Sequence, residues 1–228
     1  MTNERPIERI DLDTLLKCLN ALDGLETLSI AKGEKPDFTI ICKNKKIGIE
    51  HTRAVQQEIV RADKLHFAKC PTITVNLTDL KDREPRRSNE EILESMTNPL
   101  VSWKKSAECN LDWKNKIAMR LKSKRKKFNQ ANYQTFDENW LLIHDFQPLP
   151  SSSEMNQDGN WMLIHDSPPL LASTEAHLWA GQHLKSVFSE APDVSKDFDT
   201  IFVHSGQCLY RWHNRQLHLA NRSTWVFN

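Results

Sequence analysis

Glycine is scarce, at six of 228 residues with none clustered, so no phosphate-cradling loop of the kind that serves ATP-driven chemistry is present. The five cysteines (Cys18, Cys42, Cys70, Cys109 and Cys208) are odd in number and scattered without a CxxC pair. That spacing suggests neither zinc nor redox chemistry, and the thiols read as reduced, mostly packing residues. No apolar run reaches the roughly 18 residues of a membrane helix, and MTNERPIERIDLD lacks the basic, apolar, small order of a secretory signal. The expectation is a cytoplasmic protein with no membrane partner. A GxSxG nucleophile turn is also missing, since Ser205-Gly206 lacks the preceding glycine.

Charge of one sign is lacking overall, with a net charge of +1, yet it is unevenly spread. Lys114, Lys116, Arg120, Lys122, Lys124, Arg125, Lys126 and Lys127 crowd one short window that holds no acid. Such a block suits either a solvated helix face or a surface that follows a phosphate backbone. The hydrophobic fraction of 39% and charged fraction of 27% are those of a folded globular chain. At this length one domain over 1–228 is expected, with a helical insertion at about 85–110.

Residues 7–22 place Ile10, Leu12, Leu15, Leu16, Leu19 and Leu22 near a 3.6-residue period, predicting an amphipathic helix that ends at Asp23-Gly24. LETLSI and the hairpin KPDFTIICKNKKIGIEHT follow, then a helix over 53–69 and a strand at 72–77. Ser88 and Glu91 have capping-box spacing, and Pro99 separates that helix from a basic one at about 111–129. Trp113, Ile117, Leu121 and Phe128 mark the buried stripe of the basic helix. A strand is predicted at 140–144, a helix at 174–189 and one or two strands in FDTIFVHSGQCLYRW. NWLLIHDFQPLP is echoed 21 residues later by NWMLIHDSPPLL, two copies being too few for a solenoid. Strands alternating with helices, with at least one antiparallel hairpin, predict an α/β domain built on a mixed sheet.

The hairpin carries the candidate chemistry. With Asn44-Lys45 as its two-residue turn, Thr39 lies opposite Glu50 and Asp37 opposite Thr52. Alternation then puts Asp37, Thr39, Glu50 and Thr52 on one face, and Phe38, Ile40, Ile47 and Ile49 on the other. Asp37 and Glu50 become diagonal neighbours at roughly 7–8 Å, within reach of one ion. Two acids so placed repel unless a hard divalent cation joins them; the competing reading is an ordinary wet strand face. His51 alternates onto the apolar face as a satisfied half-buried side chain. His144, His165 and His204 mark strand ends, and His213 and His218 lack zinc-type spacing. Trp212 and Trp225 are packing residues first and base-stacking candidates second.

PDF, an apolar strand, a basic turn and IGIE together resemble the core of the PD-(D/E)xK nuclease superfamily, and IGIEHT resembles its IGIEVT-type variant. The lysine-bearing helix, the WLLIHD strand and the late FDTIFVHSG strand occur in the same order in such proteins. The resemblance implies a restriction-endonuclease-like mixed central sheet flanked by helices, with Asp37 and Glu50 binding magnesium or manganese. It implies hydrolysis of nucleic acid, DNA rather than RNA, and leaves a homodimer open. The usual lysine two residues after Glu50 is replaced by Thr52, which can hydrogen-bond but carries no charge. The KxxK pair Lys124 and Lys127 is the expected substitute, Lys124 first. A first-helix glutamate often joins the metal shell in such proteins, which points to Glu8, with Glu26 and Glu34 as alternatives. Loss of the lysine also admits a second reading, a catalytically inactive nuclease-like fold that binds nucleic acid or protein.

Overall fold

The computed structural model describes residues 6–22, 27–55, 57–69, 85–97, 103–145, 160–162, 174–191, 193–205, 208–220 and 226–227. The first helix, α1 (Pro6–Leu22), precedes three consecutive antiparallel strands, β1 (Thr27–Lys32), β2 (Phe38–Cys42) and β3 (Lys46–Ala54). Helices α2 (Gln57–Lys69) and α3 (Asn89–Thr97) follow, then the short β4 (Trp103–Lys105) and the long basic α4 (Ser106–Phe128). The chain continues through β5 (Glu138–Asp145), β6 (Asn160–Met162), α5 (Thr174–Glu190) and α6 (Val194–Asp197). It closes with β7 (Thr200–Ser205), β8 (Cys208–His213), β9 (Gln216–Leu219) and β10 (Val226–Phe227).

Eight strands form one mixed sheet in the order β1-β2-β3-β5-β7-β8-β9-β10, and β4 pairs with β6 in a separate two-stranded sheet. The central β3, β5 and β7 are mutually parallel, and the pairs on either side are antiparallel. The fold is thus mixed α/β. The first copy of the repeated segment supplies the central strand β5, whereas the described part of the second, Asn160–Met162, pairs with β4. The strand expected at 72–77 lies outside the described residues.

Strand alternation divides the core in two. Phe38, Ile40, Ile47, Ile49, Trp140, Leu142 and Phe202 face α1 and pack on Leu12 and Leu15. Leu141, Ile143, Ile201 and Val203 face the other way, onto Trp113, Ile117 and Leu121 of α4 and Leu184 and Phe188 of α5. Each such fully buried aliphatic side chain contributes about 1.5–3 kcal/mol. A smaller cluster of Val55, Ile59, Ala62 and Ile92 joins α2 to α3. The capping box forms as its spacing requires: the Ser88 backbone N donates to Glu91 Oε2 at 2.7 Å, and the Glu91 backbone N to Ser88 Oγ at 3.1 Å.

Three expectations are corrected. The β2–β3 turn is Lys43-Asn44, closed by the Cys42 backbone N donating to the Lys45 carbonyl at 2.9 Å. The register therefore pairs Phe38 with Ile49 and Ile40 with Ile47. One residue further on, Asp37 lies directly across from Glu50, closer than the expected diagonal. Arg53 and Ala54 are strand residues paired with His144 and Asp145, so α2 starts at Gln57; the parallel ladder with β5 outcompetes an earlier helix start. On α1 Ile10 is exposed, and the buried stripe instead runs through Asp11, Leu12 and Leu15. The packing role expected first for Trp212 holds, since it is buried and stacks on Phe188 at 5.2 Å between ring centroids and so offers no base-stacking surface; Trp225 lies outside the described residues.

Candidate metal and phosphodiester site

The hairpin and α4 bring the first-ranked residues together. Asp37 stands at the mouth of β2, and its Oδ2 accepts a hydrogen bond from the His51 backbone N at 2.7 Å. Glu50 is 3% exposed, on the α4 side of β3. Lys124 reaches down from α4 and is 9% exposed; its Nζ donates to Glu50 Oε1 at 2.5 Å and to the His51 carbonyl at 2.7 Å. The same ammonium lies 4.0 Å from Asp37 Oδ2. Tyr133, in the chain leaving α4, donates its hydroxyl to Glu50 Oε2 at 3.3 Å.

Helical periodicity explains why Lys124 is the inward lysine. Trp113, Ile117 and Leu121 form the buried row of α4, and Lys124 continues that row one turn on, towards Phe128. Lys127 falls off the row and is exposed. Thr52 is half-buried, two residues beyond Glu50 on the same face. Glu34 is exposed in the loop before β2, and the side chains of Glu8 and Glu26 lie outside the described residues.

The electrostatics of the pair are unequal. Burial, and then the neighbouring Glu50 carboxylate, push the Asp37 carboxyl above the usual carboxylate range, outweighing the His51 N–H and the Lys124 charge. Burial and the Glu50 charge likewise push the Tyr133 phenol up, so it stays protonated and donates. Lys124 sits against Glu50 and leaves Asp37 short of compensating charge.

Gly48, the glycine of IGIE, is required by a close approach on this same face. A Cβ there would lie 2.6 Å from the Phe136 ring and 3.0 Å from Pro36 Cγ. Phe136 and Pro36 thus cover β3 immediately beside Glu50.

A second polar cluster occupies the opposite face of the sheet. Asp11 of α1 is fully buried and accepts from three histidines on three neighbouring strands, His51 within β3 and His144 and His204 near the ends of β5 and β7. His51 Nε2 lies 2.7 Å from its Oδ2, and His144 Nδ1 and His204 Nδ1 lie 2.9 and 2.5 Å from its Oδ1. Burial opposes ionisation of Asp11, but the bonds from His144, His204 and His51 outweigh it and hold the carboxyl well below the usual range. Among the described residues, Asp11, His144 and His204 form the one group whose ligand atoms all lie within 4.8 Å of one another, a set that could hold a metal ion. His144 and His204 are therefore more than strand-end markers. The signal for them was the HD and HS dipeptides closing adjacent strands; Asp11 was missed because an acid between Ile10 and Leu12 looks like a break in the apolar stripe.

Comparison with known protein families, curated proteins and solved structures gives no match. None of the helices in the described residues is long and apolar enough to cross a membrane.

Proposed function

We propose that the chain is a metal-dependent phosphodiesterase of restriction-endonuclease-like fold that hydrolyses nucleic acid, DNA rather than RNA. The observation that carries this reading is the meeting of Asp37, Glu50 and Lys124 at one point, with Lys124 supplying from α4 the charge that Thr52 lacks. The donor set fits magnesium or manganese. Glu50 Oε1, the His51 carbonyl and Asp37 Oδ2 all face the position of one cationic group, and all are hard oxygen donors. Burial first, and then the Glu50 carboxylate, raise the Asp37 carboxyl, and a cation between the two acids would relieve the second of these.

In this reading Asp37 and Glu50 hold the ion, which when bound polarises the phosphodiester and lowers the pKa of a water. The His51 N–H fixes Asp37, and the Tyr133 hydroxyl fixes the second oxygen of Glu50. Lys124 brings an ammonium to the charge that gathers on the phosphoryl oxygens. The water oxygen forms the new bond to phosphorus as an ester P–O bond breaks, and a water proton ends on the departing hydroxyl. Exposed Lys122, Lys126 and Lys127 extend positive charge along α4 for the phosphate backbone on either side.

Plasmid and oligonucleotide substrates with magnesium or manganese test the reading. Wild type should cut both, and Asp37→Ala and Glu50→Ala should each lose activity; equal cutting by the double variant would falsify the assignment. One observation favours a catalytically inactive binding module: Lys124 already neutralises Glu50 through a direct ion pair. Calorimetry with manganese separates the two, since an inactive module that has lost the site takes up no ion dependent on Asp37 and Glu50.

A further inference from the structure

We infer that Asp11, His144 and His204 form a second, distinct metal site, selective for zinc-like transition metals, on the face of the sheet opposite Asp37 and Glu50. Its donors are two imidazole nitrogens and one carboxylate oxygen. That mixed set suits zinc, whereas magnesium and calcium call for oxygen alone.

The fold builds the site from three separate elements. His144 and His204 are register partners on the parallel strands β5 and β7, both on the α1 side, with rings edge-to-face at 5.6 Å. Asp11 is presented from α1, with Oδ1 2.9 Å from one Nδ1 and 2.5 Å from the other. Tetrahedral zinc with bonds of about 2.0–2.1 Å sets its ligand atoms about 3.3 Å apart. The carboxylate-to-imidazole spacings fall short of that by less than about 1 Å, a change that side-chain rotation supplies.

The surroundings are those of a ligating carboxylate. His51 holds Oδ2, the Asp11 oxygen that the other two histidines leave free, which fixes the orientation of the carboxylate. The side chain of His144 is 21% exposed while that of Asp11 is fully buried. An ion can therefore arrive past His144, and three protein ligands leave a fourth position for water.

The test uses the full chain, stripped of metal, given zinc chloride and passed through gel filtration, with zinc counted by elemental analysis. Wild type and the Asp37→Ala, Glu50→Ala variant should each retain one equivalent, and the His144→Ala, His204→Ala variant none. His51→Phe should weaken zinc binding by about 10–100-fold. Should the double histidine variant not fold, the partly exposed His144→Ala serves alone, and zinc should raise the melting temperature of wild type but not of this variant. The proposal is overturned if wild type retains no zinc, if the histidine variants retain as much as wild type, or if the zinc is lost with Asp37 and Glu50. Because zinc is counted independently of cleavage, this result stands apart from the nuclease reading.

Discussion

Lys124 and Lys127 differ by three positions and by everything that decides their roles. Lys124 is buried against an almost fully buried Glu50, so Lys124→Ala should destabilise the fold by about 3–5 kcal/mol, the cost of leaving one buried charge unpaired. Combining it with Glu50→Gln should recover much of that loss in a double-mutant cycle read by urea denaturation. Cleavage by Lys124→Ala should fall by about 10²–10³-fold, as for loss of one preorganised donor. Lys127→Ala should change stability by no more than about 0.5 kcal/mol. Asp37 makes a prediction of opposite sign. Its raised carboxyl binds a proton more tightly in the folded state, so its favourable contribution is present below about pH 4 and is lost as pH rises through the raised value. Metal-free Asp37→Asn should therefore melt higher than wild type at pH 7, with the gap closing towards pH 4 in a thermal series.

The β2–β3 hairpin shows what a single element discloses in its sequence and what it withholds. The face assignment was legible, because apolar residues at 38, 40, 47 and 49 can satisfy only one alternation. The turn was not, since KNKK offers two equally polar turn sites; moving it by one residue keeps the faces and changes who sits across from whom. Gly48 was visible as part of IGIE, but its reason was not, because Phe136 arrives from 88 residues away. Gly48→Ala should cost about 1–3 kcal/mol, the usual range for overpacking, measured by the shift in urea midpoint. The β8–β9 hairpin gives a similar lesson. Asn214 and Arg215 take positive φ of 51° and 62°, as a two-residue turn between β8 and β9 requires, although Arg is not a residue that announces such a turn. His51 joins elements of both faces: its ring meets Asp11 while its peptide meets Asp37 and Lys124.

Across the whole molecule, the alternation of strands and helices was enough to anticipate an α/β domain on a mixed sheet, and α4 was placed by its buried row. Lys124 was anticipated only through the resemblance of its KxxK pair; the physical reason that it turns inward, its place on the row that fixes the helix, came with the structure. The Asp11 cluster was not legible, since it joins residues as far apart as 11 and 204 through the packing of α1 across three parallel strands. Alternation also sends the two residues of the His144-Asp145 pair to opposite faces, His144 to Asp11 and Asp145 to Trp113 and Ser205. One strand end thus serves two environments. The sheet separates an oxygen-donor site under α4 from an imidazole-donor site under α1, and the two should select different ions.

A crystal soaked in manganese and measured at an anomalous wavelength tests the central claim most directly. The account predicts a peak touching the carboxylates of both Asp37 and Glu50, with Lys124 still beside them. A map with no peak there, and Lys124 locked on Glu50 as the sole cation, would contradict it.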